Sequence, residues 1–476
     1  MRRWILPVFL VLVAGFAAFQ AVESDRALAE TPPIEGSTEP ALTTPLLSVR
    51  RSPEFLRAPI LEDNLAASLA EVATTFPAQA CLAVSIDGQE VFSDNPTLPL
   101  VPASAQKLLT AYGVYELLGA ATTYETFVLT DAALVDGVLD GDLILLGSGD
   151  PLLATATYTD RYEQQPHFRT SIEQLADAVV AAGITEINGA VLGDESRYDQ
   201  ERFVPEWPVR FTSADQNQTG PLSALTVNDA FVSFDASNTA NSLSTAASDP
   251  AAFAASFFDD LLEERGVIIR QSAAATTLPR GTANFRTVAS VASDPISVAT
   301  NQMIDISDNH AAELLLKELG LATFGRGTTD DGALAIENLL RDRGFSIAET
   351  DVVDGSGLAS ENRLNCRLLL EVLNDSTDTP LHDGLAVAAE TGTLRERFVG
   401  TTAAGRVQAK TGRLNEVGAL AGTVEANDGT ILTFSWIANT TDVLPLEDMV
   451  AMQDAVVFSL LEYPQGPNIS ALGPTQ

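Results

Sequence analysis

The sequence predicts an α/β fold in which helices flank an antiparallel sheet and a β-rich domain is inserted into the chain. A strand hairpin and a helix come first, within residues 54–124, and helices with antiparallel strands come last, within residues 289–463. Short strands with glycine and aspartate turns fill residues 125–288. Because the two ends of a domain usually lie close together and tolerate insertions, we expect the first and last ranges to form one domain.

The first range begins with the stretch ACLAVSIDGQEVFSDN, which predicts two strands joined at Asp87 and Gly88. An aspartate–glycine pair between apolar strands is typical of a tight hairpin turn. The stretch PASAQKLLTAYGVYELLG follows and predicts a helix, with Pro102 suited to its first turn and Gly119 at its end.

The remaining segments divide into a strand-rich part and a mixed part. The stretches LVDGVLDGDLILLGSGDP and INGAVLGDESRYD predict short strands of the inserted domain. Further on, HAAELLLKELG, GALAIENLLRDRG and LEDMVAMQDAVVFSLLEY predict amphipathic helices. The stretches RVQAKTG, VGALAGTVEAN and TILTFSWIAN predict the strands that complete the sheet.

The two ends of the chain carry sequence features that lie outside the predicted domains. Residues 1–29 combine two arginines, an apolar run and the small-residue site Ala27-Leu28-Ala29, which predicts an export signal peptide. An uncleaved N-terminal membrane anchor is the alternative. Either reading places the body outside the cytoplasm, in the periplasm or cell wall. Residues 30–53 and 464–476 predict a flexible linker and a flexible tail.

The charge balance excludes one class of partner. Lys and Arg total 27 against 64 Asp and Glu, a formal net charge of −37. A phosphate backbone would be repelled by this charge, so we expect no nucleic-acid binding. The charge is typical of a solvated acidic surface.

The two cysteines, Cys81 and Cys366, lie far apart in the sequence. We favour two buried free thiols, a common state of isolated cysteines. One disulfide between them is the alternative that an oxidising compartment allows.

Lysine is so scarce that its positions carry information, since the only lysines are Lys107, Lys317 and Lys410. Ser104 and Lys107 are three positions apart, which puts their side chains on the same face of a helix, about one turn apart. A lysine amine can take the serine proton only when it is neutral, and burial or a second nearby cation lowers its pKa. Lys410, in AKTGRL, is the candidate for that second cation.

Ser307, Asp308 and Asn309 stand directly before the apolar run HAAELLL. Taken alone, they predict a helix N-cap, because these side chains accept hydrogen bonds from the free N–H groups of a first turn. Their position between the two lysine motifs favours a catalytic reading instead.

The three motifs S-x-x-K, S-D-N and K-T-G occur together in penicillin-binding proteins and class A β-lactamases. They stand here in that order, starting at Ser104, Ser307 and Lys410. The chain resembles the class C low-molecular-mass penicillin-binding proteins, the D-alanyl-D-alanine carboxypeptidase/endopeptidases, over about residues 60–462. Further similar phrases are DGDLILLGSGDP, LGDESRYDQERFVPEWP, VDGSGLASENRL and GTLRERFVGTTAAGRVQAKTG, and the insert between the first two motifs is also a feature of that family.

The resemblance implies a penicillin-binding-protein/serine β-lactamase-like transpeptidase fold and a serine-type peptidase acting on peptidoglycan stem peptides. It implies no metal and no organic cofactor, and β-lactam antibiotics as covalent inhibitors. Ser104 is then the acylated nucleophile and Lys107 its general base, while Ser307 passes a proton to the departing amine and Asn309 holds the substrate backbone.

The resemblance also assigns the strand motif. Lys410 and Thr411 would bind the terminal carboxylate from a strand edge, and the backbone N–H groups of Ser104 and Arg413 would form the oxyanion hole. Gly412 would let the substrate lie close to the strand. The family commonly has Thr or Ser where this chain has Arg413, and we expect the guanidinium to replace the lost hydroxyl as a carboxylate ligand.

Other functions are less well supported. The histidines His167, His310 and His382 lack a metal-ligand spacing, and the chain lacks the G-x-S-x-G signature of Ser-His-Asp hydrolases. The segment Glu390 to Leu394, ETGTL, echoes K-T-G but carries glutamate in place of the cation, which predicts a loop. A β-lactamase or esterase of the same fold, or a degenerate cell-wall-binding protein, remain as alternatives.

Overall fold

The structure is a computed structural model that describes residues 18, 53–162, 166–213, 217–235, 244–278 and 284–467. Nearly all of the predicted signal or anchor and of the predicted linker, and most of the predicted tail, lie outside these residues. No helix among the described residues is long and apolar enough to span a bilayer. The chain divides into two compact units, one comprising residues 1–59 with 467–476 and the other residues 60–466. Apart from residues 53–59, every feature discussed below lies in the second unit.

The described helices are α1 (Pro53–Ala73), α2 (Lys107–Gly113), α3 (Ala156–Thr159), α4 (Ile172–Ala181), α5 (Pro250–Glu264), α6 (Ile296–Ile306), α7 (Asn309–Phe324), α8 (Thr329–Asp342), α9 (Cys366–Asp375) and α10 (Leu446–Leu461). The described strands are β1 (Gln79–Ile86), β2 (Gln89–Asp94), β3 (Glu125–Thr130), β4 (Leu134–Val135), β5 (Val138–Leu139), β6 (Leu143–Leu146), β7 (Leu153–Ala154), β8 (Thr170–Ser171), β9 (Glu186–Ile187), β10 (Val191–Asp194), β11 (Phe231–Ser233), β12 (Thr245–Ala246), β13 (Ile268–Ile269), β14 (Ala274–Thr276), β15 (Arg286–Ala292), β16 (Ala386–Val387), β17 (Val407–Leu414), β18 (Val417–Glu425) and β19 (Ile431–Asn439).

The largest sheet has six strands in the order β16-β17-β18-β19-β1-β2, and every neighbouring pair is antiparallel. The predicted hairpin is present, with Asp87 and Gly88 at φ of 49° and 75° between β1 and β2. Such left-handed turn residues match the twist of the flanking strands. Because β1 pairs with β19, the N-terminal hairpin and the C-terminal strands share one sheet.

Helices cover both faces of this sheet. Cys81 and Ala83 contribute to one core cluster with residues of α2, α6, α7 and α9, whereas Leu82 and Val84 contribute to another with residues of α1 and α10. The two sets alternate because successive side chains of a strand point to opposite faces. The predicted antiparallel sheet flanked by helices is therefore present.

The structure contradicts our preference for free thiols, because Cys81 and Cys366 form a disulfide with a Cα–Cα distance of 5.8 Å. Cys81 lies on a central strand and Cys366 begins α9, which packs on that face of the sheet. The preference was wrong because sequence separation, here 285 residues, says nothing about which elements pack together.

The segment between β3 and β15 contains a five-stranded sheet in the order β14-β10-β6-β3-β15. Its first and last strands, β3 and β15, pair antiparallel, so the chain enters and leaves this segment at neighbouring positions. The short strands were predicted, but the helices α4 and α5 were not. Their signals were the N-caps, since Ser171 and Asp249 accept hydrogen bonds from the first turns of α4 and α5.

Candidate active site

Ser104 lies on a single 3₁₀ turn, Ala103–Gln106, that precedes α2. The sequence predicted an α-helix from Pro102, whereas the regular helix begins only at Lys107. A 3₁₀ turn has three residues per turn, so positions i and i+3 eclipse each other. Lys107 Nζ accordingly lies 3.1 Å from Ser104 Oγ.

The Lys107 amine is fully buried and has three neighbours. Besides Ser104 Oγ, Nζ donates to Asn309 Oδ1 at 2.7 Å and to the Ser356 carbonyl oxygen at 2.7 Å. Burial lowers the pKa of Lys107 to about 8, and the nearby carboxylates of Asp354, Glu313 and Asp308 limit this decrease. The lowered pKa makes the neutral, basic form of the amine far more accessible near neutral pH than it is for an exposed lysine.

The second motif forms the junction between α6 and α7. Ser307 has left-handed backbone angles, φ 64° and ψ 42°, which end α6. Asp308 is the N-cap of α7 and accepts a hydrogen bond from the Ala311 N–H at 3.1 Å. The capping role expected of the isolated motif is confirmed for Asp308.

Asn309, the first residue of α7, is held at both ends of its amide. Oδ1 accepts from Lys107, and Nδ2 donates to the Gln218 carbonyl oxygen at 3.0 Å. Asn309 therefore links the amine to the inserted segment, and its expected contact with the substrate backbone stays a prediction.

The third motif lies on β17. The short strand β16 pairs only with Gln408 and Ala409, so no described strand adjoins Lys410–Leu414 on that side of β17. Lys410 is fully buried, and its Nζ donates to the Thr411 carbonyl oxygen at 2.9 Å. Burial and the proximity of Lys107 hold the pKa of Lys410 well below its usual value, while Asp305 acts in the opposite direction.

Thr411 and the Glu390–Leu394 segment are in contact. Thr411 Oγ1 donates to Thr393 Oγ1 at 2.9 Å, and Thr391 Oγ1 donates to Asp305 Oδ1 at 2.9 Å. The segment ends in a 3₁₀ turn, Gly392–Leu394. It lines one edge of the site and supplies hydroxyl groups without a cation of its own.

Gly412 has a steric role within the protein that the sequence did not predict. A Cβ at this position would lie 2.7 Å from the Pro102 carbonyl oxygen and 3.1 Å from the Ala105 nitrogen. The missing side chain therefore lets β17 pack against the turn that carries Ser104. The predicted close approach of the substrate to Gly412 stays a prediction.

A cavity of about 400 Å³ opens onto Ser104, Ser307, Asn309 and Arg413. We call it the catalytic cleft, and its remaining lining residues are Phe211, Gln218, Leu358, Leu414 and Asn415. The Arg413 side chain is exposed, and no hydrogen bond or ion pair holds it among the described residues. The three motifs therefore meet at one site, and Arg413 is free to reach a ligand in the cleft.

Sequence reasoning missed the loop that supports Lys107, although it noted the phrase VDGSGLASENRL. The Asp354 carboxylate accepts from the N–H groups of Gly357 and Ala359, both at 2.7 Å, and from Asn362 Nδ2 at 2.8 Å. These bonds hold the loop whose Ser356 carbonyl accepts from Lys107. The available signal in the sequence was an aspartate, Asp354, followed by two glycines that are one residue apart.

Glu313 was also missed. It is fully buried one turn after Asn309 on α7, where its carboxylate accepts from the N–H groups of Gly355 and Ser356 at 3.1 and 2.8 Å. Burial, with Asp354 nearby, raises the pKa of Glu313 to about 8. Its signal was a glutamate inside the otherwise apolar run HAAELLL.

The sequence matches the family described as D-Ala-D-Ala carboxypeptidase 3 (S13) over residues 65–242 and 233–458. It is 30% identical over 452 residues to carboxypeptidase DacB of Mycolicibacterium smegmatis, with 91% of each protein covered. It is 27% identical over 465 residues to the D-alanyl-D-alanine carboxypeptidase of Actinomadura sp. (strain R39), with 82% of each covered.

Among solved structures, penicillin binding protein 4 (dacB) from Haemophilus influenzae superimposes with a TM-score of 0.69 at 21% identity. The alignment covers 83% of this chain and 99% of that one. The same protein in complex with a novel β-lactam gives a TM-score of 0.62. The predicted penicillin-binding fold is confirmed.

Proposed function

The chain belongs to the D-Ala-D-Ala carboxypeptidase 3 (S13) family, and on this basis we propose that it hydrolyses the D-Ala-D-Ala ends of peptidoglycan stem peptides through an acyl-enzyme on Ser104. It is a serine-type peptidase of the penicillin-binding class, as its relatives are. A cell-wall substrate implies work outside the cytoplasm. The signal peptide or anchor stays a prediction.

The environment of the Lys107 amine carries this proposal. A neutral amine has two N–H groups and one lone pair, and two of its three neighbours, Asn309 Oδ1 and the Ser356 carbonyl, can only accept. Both N–H groups are therefore used by carbonyl oxygens, and the lone pair is left for the Ser104 hydroxyl at 3.1 Å. This arrangement suits a general base acting on a serine nucleophile.

In the proposed reaction, the Ser104 proton moves to Lys107 as Oγ attacks the carbonyl carbon of the penultimate D-Ala. The backbone N–H groups of Ser104 and Arg413 stabilise the oxyanion that forms. The C–N bond then breaks, Ser307 delivers its proton to the departing amine and receives in its place the proton held by Lys107, and the terminal D-Ala leaves. A water molecule next attacks the ester, the ester bond breaks, and the proton of the water returns to Ser104 through Lys107.

Substrate binding uses the strand motif. Lys410 and Thr411 would bind the terminal carboxylate, and the exposed guanidinium of Arg413, which lies on the same strand and lines the cleft, would be a further ligand for it. A β-lactam offers a similar carboxylate and a strained amide. Because its amine stays tethered after ring opening, it does not diffuse away, and a long-lived acyl-enzyme is expected.

Intact-protein mass spectrometry after exposure to penicillin tests this proposal. We expect the wild-type protein to gain one penicillin mass, with peptide mapping placing the adduct on Ser104. The Ser104→Ala variant should neither gain that mass nor release D-Ala from an acyl-D-Ala-D-Ala peptide, whereas Ser307→Ala should still be acylated, though more slowly. An adduct on another peptide, or D-Ala release by Ser104→Ala, would contradict the proposal.

A degenerate binding protein and a β-lactamase give different results in the same experiment. A binding protein would not be acylated at all. A β-lactamase would lose the adduct within seconds and would not release D-Ala from the peptide.

A further inference from the structure

The Glu390–Leu394 segment takes no part in the proposed chemical steps, although it contacts the motif on β17. We call it the ETGTL turn. Thr411 Oγ1 donates to Thr393 Oγ1 at 2.9 Å. Because Thr411 is the proposed ligand of the terminal carboxylate, the ETGTL turn touches the site at the place where that carboxylate is expected.

Thr393 is held in place by its two neighbours in the turn. Gly392 and Leu394 are both buried, and Leu394 belongs to the core cluster that also contains residues of α1 and α10. The Ala389 N–H donates to the Leu394 carbonyl oxygen at 3.0 Å, which closes the turn. Thr393 itself is half-buried, as is Thr411. The two threonines therefore lie at the surface of the site, and buried neighbours hold the backbone of Thr393.

Asp305, in the last turn of α6, supports the ETGTL turn. Thr391 Oγ1 donates to Asp305 Oδ1 at 2.9 Å and accepts from the Val387 N–H at 2.9 Å. Gly392 has a left-handed φ of 51°, and a Cβ on it would clash with both Oδ1 and the carbonyl oxygen of Asp305. The turn therefore lies in direct contact with Asp305, which fixes its distance from the end of α6.

The hydroxyl of Thr393 has a proton to give. A threonine hydroxyl donates one hydrogen bond and can accept two. Thr411 gives its proton to the Thr393 oxygen, and the Thr393 hydroxyl donates to no group among the described residues. Arg413 brings no hydroxyl to the motif, so a second hydroxyl for a ligand at Thr411 has to come from another segment.

A carboxylate matches this pair of hydroxyls. It has two oxygens that only accept, and hydrogen bonds from hydroxyls to a charged oxygen are short and strong. Thr411 can turn its proton to one oxygen while Thr393 donates to the other. Asp305 also favours the cationic form of Lys410, because its charge acts to raise the pKa of that amine. Asp305 therefore contributes to the site both through the turn and through Lys410.

We propose that the Thr393 hydroxyl is a second ligand of the terminal carboxylate, beside Thr411, and that Asp305 positions it through Thr391. This inference rests on the proposed function and deepens it, because it adds a residue outside the three motifs to the substrate site. The reaction at Ser104 is unchanged. The expected consequence is that the Thr393 hydroxyl contributes only to substrates that end in a carboxylate.

Two thioesters of diacetyl-L-Lys-D-Ala test the inference. Their leaving groups are mercaptoacetate, which ends in a carboxylate, and mercaptoacetamide, which has a similar shape and no charge. A thioester is reactive enough to be cleaved without the carboxylate, so both can be measured. The readout is the carboxylate preference, defined as kcat/KM for the mercaptoacetate ester divided by kcat/KM for the mercaptoacetamide ester. We expect a wild-type preference of about tenfold or more, since the amide does not form the charge-assisted hydrogen bonds.

Thr393→Val removes the hydroxyl and keeps the shape of the side chain. It should lower the carboxylate preference about fivefold, because a hydrogen bond to a charged group is lost only with the mercaptoacetate ester. Thr393→Ser keeps the hydroxyl and should keep most of the preference. Thr423→Val is the matched control, since Thr423 is also half-buried and lies on β18, and it should leave the preference unchanged. If Thr393→Val does not fold, as judged by thermal unfolding, Thr393→Ala gives the same comparison.

Thr391→Val tests the positioning by Asp305. The variant loses both hydrogen bonds of the Thr391 hydroxyl, so Thr393 should shift and the carboxylate preference should fall about threefold. Thr401→Val is its control, because the Thr401 hydroxyl likewise donates to a backbone carbonyl at 2.8 Å and accepts from a backbone N–H at 3.2 Å. Thr401 is exposed and bonds to neither Asp305 nor Thr411, so its variant should retain the wild-type preference.

The outcomes separate the inference from the proposed function. An unchanged carboxylate preference in Thr393→Val overturns the inference, as does an equal loss in Thr393→Ser, which would point to packing instead of the hydroxyl. An unchanged preference in Thr391→Val overturns the role of Asp305. If the wild-type protein cleaves both thioesters equally well, the inference is wrong and the proposed function stands. If it cleaves neither and is not acylated by penicillin, the proposed function itself fails.

Discussion

The indole Nε1 of Trp207 donates a hydrogen bond of 2.8 Å to Oδ2 of Asp354, across 147 positions of sequence. Trp207 belongs to the inserted segment, and Asp354 organises the loop whose Ser356 carbonyl accepts from Lys107. Both Trp207 and Asp354 are buried. The insert therefore helps to hold the backbone that orients the catalytic amine, in addition to lining the catalytic cleft.

Trp207→Phe should slow acylation by fluorescent penicillin about tenfold, because it removes one of the two donors to Oδ2 of a buried carboxylate. A hydrogen bond to a charged group contributes about 1.5–3 kcal/mol. Trp436→Phe is the matched control, since Trp436 is fully buried and its Nε1 has no hydrogen-bond partner among the described residues. It should lose stability through the smaller ring but keep its acylation rate. Equal acylation rates in the two variants would argue against a positioning role for Trp207.

The acylation rate should rise with pH and level off above about 8, because Lys107 must be neutral to accept the serine proton and burial lowers its pKa to about 8. Glu313, when ionised, raises the pKa of Lys107. Glu313 has a pKa of about 8 and is therefore partly ionised at the midpoint of the profile. Glu313→Gln removes this partial negative charge, so the midpoint should move to lower pH. Rate–pH profiles of acylation measure this shift directly.

Glu337→Gln is the control for this pH effect. Glu337 also accepts a backbone hydrogen bond, from Val352 N–H, but it does not contribute to the pKa of Lys107. Its profile should superimpose on that of the wild-type protein. If Glu313→Gln lowers the rate at every pH without moving the midpoint, Glu313 has a structural role only.

Gly412→Ala should reduce acylation at least 100-fold, since its Cβ would meet the Pro102 carbonyl at 2.7 Å and push β17 away from the Ser104 turn. Gly418→Ala on the neighbouring strand is the control. Its Cβ would meet Met449 Cγ at 2.6 Å, and a methionine side chain can move aside. We expect Gly418→Ala to change thermal stability with little effect on acylation. Comparable losses of acylation in both variants would contradict the steric role of Gly412.

Arg413→Thr should raise KM for an acyl-D-Ala-D-Ala peptide about fivefold, which corresponds to roughly 1 kcal/mol. The exposed guanidinium has no partner among the described residues and is well matched to a carboxylate. Arg413→Lys keeps the charge but not the planar donors, so its KM should lie between the KM of the wild-type protein and that of Arg413→Thr. An unchanged or lower KM in Arg413→Thr would show that the arginine does not replace the hydroxyl common in the family.

Replacing both Cys81 and Cys366 with alanine should lower the free energy of unfolding by about 2–5 kcal/mol, measured by urea denaturation. The disulfide closes a loop of 285 residues, which restricts the unfolded chain strongly. Adding reductant should lower the stability of the wild-type protein and leave that of the double variant unchanged. Equal stability of the wild-type and double-variant proteins would mean that the bond contributes nothing.

The sequence by itself determined the local features. Ser104 and Lys107 meet because three positions correspond to one turn, the β1–β2 hairpin forms because Asp87 and Gly88 adopt left-handed angles, and Asp308 caps α7 because it precedes free N–H groups. Each depends on a few neighbouring residues. The order of the three motifs then predicted the family and the fold.

Only the tertiary structure decided which distant groups complete the site. The Ser356 carbonyl reaches Lys107 across 249 positions, and Gly412 packs on the turn that carries Ser104. Glu313, Asp354 and the Cys81–Cys366 bond likewise depend on how helices pack against the sheet. Local periodicity specifies which residues share a face of a helix or strand, but it does not specify which other segment packs on that face. The pKa values of the buried lysines depend on that packing, because burial is what lowers them.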